Sequence, residues 1–324
     1  MPLPKVSIIV TVKNEEKYVA DLLDSIAKLD YSGNIETIFV DGESTDKTQE
    51  IIRRYPFVKL IVQKCNLPQG RNLGIKNSNG EIIAFTDGDC VVDKDWTKNI
   101  VRNFIEQPGT GVVGGAFIPA FSHGSITQFF IYEAGTSLPA KSGFASHDNI
   151  GGGNMSCRRG VLEKVGGFDE RFTQGDDLDL NLRVSKLGYK LFFDENVIVY
   201  HKYRTTFKEA LKWGYNCGKF SSLHYRNTKN YAKFLFPFRR TALLIWGIFL
   251  TISVLMQNPL LVLIGVGVFP LYYLYKLARF NGVPYQSRTS LKTRFTVPLI
   301  ELCVQLIDSW GSFVELVKNP FSQR

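Results

Sequence analysis

The first third of the chain alternates short β-rich runs with amphipathic segments, and this alternation limits the possible folds more than any other feature. Apolar runs predict four strands: Val6 to Val12, Ile35 to Val40, Val58 to Val62, and Glu81 to Thr86. Helical patterns separate them, near residues 15–29, 45–54, 68–79 and 95–106. Such alternation is typical of a parallel sheet with helices on both faces. We therefore expect an α/β domain with a mostly parallel sheet.

Two carboxylate clusters suggest where the chemistry lies. Asp87 and Asp89 end the fourth predicted strand, and Asp176 and Asp177 begin a later helical pattern. Carboxylates at the carboxyl edge of a sheet are suited to a divalent cation that holds a diphosphate. Two adjacent carboxylates in a desolvated cleft raise the pKa of one of them toward the range of a general base. The alternatives are an acidic turn and an acidic helix start favoured by the helix dipole.

Several motifs around these clusters, in order over about residues 5–201, resemble the family 2 glycosyltransferases of the GT-A fold. They are Val6-Ser-Ile-Ile-Val-Thr-Val-Lys-Asn-Glu-Glu16, Val40-Asp-Gly-Glu-Ser-Thr-Asp-Lys-Thr48, Gly70-Arg-Asn-Leu-Gly74, Asp87-Gly-Asp89, the Gly-rich segment 151–167, and Gly175-Asp-Asp-Leu-Asp-Leu180. The resemblance implies an inverting transferase that uses a nucleotide-diphosphate sugar and a divalent cation, Mn²⁺ or Mg²⁺.

The resemblance also implies roles for residues on the donor side. Asp89 is the first expected metal ligand, Asp87 shares the metal or meets the ribose, and His201 is a late metal ligand or phosphate contact. The remaining donor-binding candidates are Asn14, Glu15, Asp41 and Arg71. Asn14 and Asp41 could instead only cap local structure, and a lone histidine such as His201 could be structural.

On the acceptor side, the resemblance makes Asp177 the general base. Asp176 stands where the family usually has a glutamate, so its own role is left open. Gly152, Gly153 and Asn154 are candidates for contacts with the acceptor, because glycine lets a backbone approach a ligand closely. A strained turn would need the same glycines. Residues 118–150 lack a clear periodicity and are interpreted as a mobile loop or an acceptor-facing insert.

Charge is concentrated in one segment. Residues 201–240 contain ten Lys or Arg and one acid, so this segment carries a net +9, the whole formal charge of the chain. The block is interleaved with aromatic residues, which could indicate nucleic acid or a solvated surface. It runs directly into an apolar stretch at Thr241, which favours anionic membrane lipid as the partner and argues against nucleic acid.

The apolar stretch that follows predicts a hairpin of two membrane helices over 241–278. Each arm approaches the ~17 to 25 residues of a spanning helix, and basic residues flank its outer ends, which places both ends in the cytoplasm by the positive-inside rule. A buried hairpin in a soluble protein is the alternative. The next stretch, 296–317, repeats polar residues at helical spacing. We expect it to lie in the membrane interface or to pack against protein, because a buried acid is costly in lipid.

These observations divide the chain into four parts. Residues 1–201 form a GT-A catalytic domain, with a donor half at about 1–115 and an acceptor half at about 116–201. A basic amphipathic juxtamembrane segment (202–240), the hairpin (241–278) and an interfacial or third membrane helix with a tail (279–324) follow. Five cysteines without a Cys-x-x-Cys pair favour a reducing compartment. No signal-like leader precedes Val6, so we expect the catalytic domain on the cytoplasmic side of a membrane.

The expected function is transfer of one sugar to a lipid-linked or glycan acceptor at the membrane, either polyprenyl phosphate or a polyprenyl-diphosphate oligosaccharide. The Gln-x-x-Arg-Trp pattern of the family's polysaccharide synthases does not occur in the sequence, which argues against a long processive product. A phosphate acceptor is largely ionised at pH 7 and scarcely needs a base, so Asp177 favours a hydroxyl acceptor. A nucleotidyltransferase of the same fold class and a catalytically idle membrane adaptor are the alternatives.

Overall fold

The computed structural model describes residues 2–120, 141–145, 150–172, 175–202, 206–228 and 291–318, with isolated positions between 252 and 278. These residues belong to two compact units, one ending and the other beginning near residue 203. The first unit contains the sheet and the second contains two long helices.

Regular elements cover most of the first unit. The strands are β1 (Val6–Val12), β2 (Ile35–Asp41), β3 (Val58–Val62), β4 (Ile82–Asp87), β5 (Cys90–Val92), β6 (Thr110–Pro119), β7 (Gly143–Phe144), β8 (Asn154–Arg158) and β9 (Lys190–His201). The helices are α1 (Val19–Ile26), α2 (Thr48–Ile52), α3 (Leu67–Lys76), α4 (Trp96–Glu106), α5 (Arg159–Val165) and α6 (Asp176–Lys186).

Within the described residues, the strands form one sheet in the order β3-β2-β1-β4-β8-β6-β9-β5, with β7 paired to β9. The first four strands are parallel and lie within one residue of their predicted bounds. An α/β fold with a mostly parallel sheet is therefore confirmed. Antiparallel pairing of β8 with both β4 and β6 joins the two halves of the sheet.

The predicted loop or insert at 118–150 contains strand residues at four of its described positions, where the loop interpretation is wrong. Ile118 and Pro119 continue β6, and Gly143 and Phe144 form the short strand β7. Both strands pair with β9, so tertiary hydrogen bonding overrides the weak local pattern. Most of the remaining segment lies outside the described residues.

Helix α3 rests directly on β1 because two glycines face the strand. A Cβ atom on Gly70 would lie 2.4 Å from Thr11 Cγ2, and one on Gly74 would lie 2.4 Å from Ile9 Cγ2. Asn66 caps the helix by accepting a hydrogen bond from the backbone N–H of Gln69. This packing fixes Arg71, on the same helix, near the carboxyl ends of β1 and β4.

The second unit contains α7 (Phe207–Thr228) and α8 (Leu291–Lys318). The predicted stretch 296–317 is confirmed as helical and packs against α7, the second of its two expected settings. No helix among the described residues is long and apolar enough to cross a membrane. The predicted hairpin over 241–278 lies almost entirely outside the described residues.

Candidate active site

Strand register places four of the predicted site residues at one edge of the sheet: Asp41, Asp87, Asp89 and His201. Asp41 pairs with Val12 across β2 and β1, and Asp87 pairs with Thr11 across β4 and β1. Cys90 pairs with His201 across β5 and β9, which places His201 next to Asp89. Ligands of open α/β sheets bind at this carboxyl edge.

Asp89 and His201 form the best candidate for a metal site. His201 Nε2 lies 3.5 Å from Asp89 Oδ1, and both side chains are partly buried. The backbone N–H of Lys202 also donates to the Asp89 carbonyl oxygen, which ties the two segments together. Carboxylate and imidazole together suit Mn²⁺, and carboxylate oxygens suit Mg²⁺.

Cys90 lies beside this pair, and its sulfur could complete a set of three ligand atoms within 4.8 Å of one another. Its side chain is fully buried, and burial, followed by the charges of Asp87 and Asp89, raises the pKa of the thiol well above its ordinary value. A metal-binding cysteine must be a thiolate. The chemistry of the set therefore favours Asp89 and His201 as ligands to a hard cation.

Arg71 connects the two acidic clusters. Its Nη1 donates to Asp176 Oδ2 at 2.7 Å, and its Nη2 lies 3.4 Å from Asp87 Oδ1. Burial alone would lower the pKa of the Arg71 guanidinium, but nearby carboxylates, first that of Asp176, raise it. The guanidinium also lies over the ring of Phe168, 5.3 Å from the ring centre. Arg71 thus holds Asp176 and faces Asp87 with a permanent positive charge.

Asp177 is held by backbone groups in the first turn of α6. Its Oδ2 accepts a hydrogen bond from Gly152 N–H at 2.6 Å, and its Oδ1 accepts one from Leu178 N–H at 2.8 Å. Burial and then the charge of Asp176 raise the pKa of the Asp177 carboxyl, although Arg71 opposes the shift. This is the direction that the sequence predicts. The acidic start of α6 thus includes the candidate base, so the two interpretations of this cluster apply to the same residues.

Gly152 and Gly153 let their loop lie directly on the charged network. A Cβ atom on Gly153 would lie 2.3 Å from Asp87 Oδ2, and one on Gly152 would lie 2.7 Å from the Arg71 guanidinium nitrogens. A larger residue at either position would displace a charged side chain. The glycines are therefore needed for close approach to Asp87 and Arg71.

Asp41, Asn14 and Glu15 surround the turns that follow β1 and β2. Asp41 is buried and accepts hydrogen bonds from Ser44 N–H and from the Gln49 side chain. Asn14 has a positive φ of 59° and accepts a hydrogen bond from Thr45 N–H. Asp41 thus organises its local turn, as the alternative interpretation expects, whereas Asn14 binds a turn 31 residues away and does not cap α1, whose N-cap is Tyr18. The Glu15 side chain lies against Gly88, between the two aspartates of the metal motif.

Asn154 has a different setting from the one expected for an acceptor contact. Its side chain is buried, accepts a hydrogen bond from Trp96 Nε1, and donates to the carbonyl oxygens of Ala116 and Val197. All three bonds lie inside the protein. Because it joins α4, β6 and β9 to the start of β8, Asn154 supports the sheet beneath the site.

Two asparagines that were not among the candidates position the site. Asn72 exchanges hydrogen bonds with the backbone of Phe168, which packs under Arg71. Asn181 donates to the carbonyl oxygen of Ile150, just before the glycine loop. Asn72 lies inside the Gly70-Arg-Asn-Leu-Gly74 motif, so the motif could have indicated it. Asn181 carries no local signal, because its partner is distant in sequence.

Comparisons with known proteins show which family the chain belongs to. The family described as Glycosyl transferase family 2 matches residues 7–166. Glycosyltransferase AglE of Haloferax volcanii is 31% identical, over 67% of this chain and 73% of its own length. A dolichyl N-acetyl-alpha-D-glucosaminyl phosphate 3-beta-D-2,3-diacetamido-2,3-dideoxy-beta-D-glucuronosyltransferase of Methanococcus voltae is 26% identical over 97% of this chain and 98% of its own.

A solved structure resembles nearly the whole chain. The mannosyltransferase PcManGT from Pyrobaculum calidifontis, in complex with GDP-Man and Mn²⁺, superposes with a TM-score of 0.68 at 19% identity, covering 99% of this chain and 88% of its own. At this identity the likeness shows the GT-A fold. The sheet, the ordered motifs and the relatives agree, and the chain belongs to the family 2 glycosyltransferases.

Proposed function

We propose that this glycosyltransferase moves one sugar, with inversion, from a nucleotide-diphosphate sugar to a hydroxyl group of a polyprenyl-linked acceptor. The observation that carries the proposal is the position of Asp177. Its pKa is raised, and Arg71, which contacts Asp176 and Asp87, also interacts electrostatically with Asp177, so the candidate base and the candidate diphosphate site share one buried cation. A single displacement at the anomeric carbon needs a base for the attacking hydroxyl and a separate site for the departing diphosphate.

On the donor side, Asp89 and His201 would hold a divalent cation, with Asp87 beside them. Bound there, the cation would stabilise the negative charge on the departing phosphate as a Lewis acid. Arg71 faces Asp87 from the other side and limits the negative charge of this cluster. Asp41, Asn14 and Glu15 would contact the nucleotide from the turns after β1 and β2.

On the acceptor side, Asp177 takes the proton of the attacking hydroxyl. The oxygen then forms a bond to the anomeric carbon, while the bond from that carbon to the diphosphate oxygen breaks and the nucleoside diphosphate leaves with the electron pair. A base with a raised pKa holds the proton better than an ordinary aspartate, which improves its match to this step. The backbone N–H groups of Gly152 and Leu178 keep the carboxylate oriented.

The relative from Methanococcus voltae supports a lipid-linked acceptor, because its name specifies a dolichyl-linked sugar phosphate and its alignment spans nearly the whole of both chains. The need for a base favours a sugar hydroxyl over a bare phosphate. We also propose that anionic lipid, rather than nucleic acid, is the partner of the basic segment 202–240. The catalytic domain would then lie on the cytoplasmic side of the membrane.

A donor and acceptor screen tests the proposal. The full chain in vesicles is incubated with UDP, GDP and dTDP sugars and Mn²⁺ or Mg²⁺, with either polyprenyl phosphate or a polyprenyl-phosphate sugar as acceptor. We expect transfer to the acceptor that carries a sugar hydroxyl, loss of transfer with a chelator, and an inverted anomeric linkage by NMR. Transfer to polyprenyl phosphate alone, or a retained configuration, would contradict the proposal.

A further inference from the structure

Helix α8 buries acidic residues and exposes large apolar ones, which is unusual for a helix on a water-exposed surface. Glu301, Asp308 and Ser312 are 2%, 3% and 6% exposed. Phe295 and Trp310, in contrast, are 49% and 50% exposed. A surface helix of a soluble protein normally buries its apolar stripe and turns its charged residues to water.

The exposed apolar residues share one face of α8. Phe295, Leu299, Leu306 and Trp310 are spaced by four, seven and four residues, which returns to the same side of a helix. Leu299 is 46% exposed, and Leu306 is half-buried. The buried polar stripe lies on the opposite side. The buried side also contains Val297, Ile300 and Val304, so α8 buries a mixed polar and apolar face and exposes an apolar one.

The polar stripe faces α7, and the two backbones approach each other at glycines. Ser312 Oγ donates to the carbonyl oxygen of Gly218 at 2.8 Å. A Cβ atom on Gly218 would lie 1.8 Å from the carbonyl oxygen of Asp308, and one on Gly311 would lie 2.2 Å from that of Tyr215. Small residues at the contact and hydrogen bonds between helices are typical of helix pairs in lipid, where apolar burial gives no driving force.

Helix α7 also brings positive charge to this pair. Lys208 and Lys212 are exposed, and Lys219 is half-buried. They belong to the segment that holds the whole net charge of the chain. Lysines on the helix that packs against α8 complement the anionic headgroups that border the hydrocarbon of a membrane. A surface that faces only water would not require lysines together with exposed apolar residues.

We propose that the outer face of α8, formed by Phe295, Leu299, Leu306 and Trp310, lies against the hydrocarbon of an anionic bilayer while its polar stripe is turned to α7. This surface deepens the proposed function, on which it rests, because it places the helix pair in the bilayer that carries the lipid-linked acceptor. In this orientation the acids of α8 face α7. A helix lying alone in the membrane interface would instead turn its acids toward water.

Photolabelling from inside the bilayer tests this surface. The full chain is reconstituted in vesicles of phosphatidylcholine and phosphatidylglycerol that contain a phospholipid with a diazirine on its acyl chain, and adducts are located by mass spectrometry after illumination. We expect several-fold more adduct on Leu299 and Trp310 than on Glu301 or Asp308. Ile105 on α4 is the matched control, because it is 61% exposed and apolar but lies in the sheet unit.

The outcomes of this experiment distinguish bilayer lipid from a second copy of the chain as the occupant of the α8 face. Labelling of the α8 face no greater than that of Ile105 would overturn the proposal. Protection of this face from both the lipid reagent and a water-soluble carbene, together with dimers in sedimentation, would assign it to a second copy of the chain. Sugar transfer is measured in the same vesicles: transfer without α8 labelling contradicts only this surface, and labelling without transfer contradicts only the proposed function.

Discussion

At the scale of single residues, Asp177 offers the sharpest test of the mechanism. Asp177→Asn keeps the size of the side chain and its place near Gly152 N–H but cannot take a proton. We expect kcat to fall by about 10² to 10⁴, the usual contribution of a general base, while the donor Kd stays near that of the parent. Calorimetry with the donor and steady-state kinetics measure the two quantities. A weakened donor Kd with an unchanged kcat would make Asp177 a binding residue.

The same substitution should change stability in the opposite direction. Folding raises the pKa of the Asp177 carboxyl, chiefly by burial, so its stabilising contribution is present below the unfolded pKa and is lost as pH rises through the folded pKa. An amide does not ionise, so Asp177→Asn should unfold at higher temperature than the parent at neutral pH. The difference should shrink toward acid pH. Thermal denaturation from acid to neutral pH measures it, and equal curves at every pH would contradict the expectation.

Asp89 tests the donor side. Asp89→Ala removes the carboxylate that lies 3.5 Å from His201 Nε2, so donor binding that depends on Mn²⁺ should be lost together with transfer. Asp169→Ala is the control, because this acid forms its ion pair with exposed Arg171 and is not one of the candidate site residues. Calorimetry with and without Mn²⁺ separates the effects. Donor binding that survives Asp89→Ala would remove Asp89 from the metal site.

At the scale of elements, the glycine loop before β8, residues 151–153, determines how closely this loop approaches Asp87 at the end of β4. Gly153→Ala would place a methyl group 2.3 Å from Asp87 Oδ2, and an overpacked site typically costs about 1 to 3 kcal/mol. We expect a lower denaturation midpoint and weaker donor binding. Gly160→Ala in α5 is the matched control, since its Cβ would meet nothing within 4 Å. Equal effects of the two changes would show that the loop does not need its close approach.

At the scale of the whole molecule, membrane attachment should have two separable parts. The apolar segments should resist salt, whereas each basic residue near an anionic surface adds about 1 kcal/mol that salt screens. We expect the full chain to stay in membranes through high-salt and carbonate washes and to leave only with detergent. Sedimentation of washed membranes measures this. Release by carbonate would favour the alternative of a buried helical hairpin at 241–278.

The sequence by itself determined the parallel half of the sheet and the order of the motifs. Strands β1 to β4 are local apolar runs bounded by turns, and their periodicity needs no distant partner to be recognised. The carboxyl ends of parallel strands meet at one edge of a sheet, so strand order along the chain is enough to predict that Asp41 and Asp87 lie at the same edge. The helical character of 296–317 was also evident, because polar residues recur at helical spacing.

Only the tertiary structure decided which charged groups meet. The contact between Arg71 and Asp176 joins residues 105 positions apart, and no local pattern records a pairing of that range. The burial of Asn154 and the strand conformation of Ile118 and Gly143 likewise depend on partners from β9 and α4. The direction of the polar stripe of α8 also depends on a partner distant in sequence. Periodicity shows that one face of the helix is polar, but the close approach at Gly218 decides that this face turns toward protein.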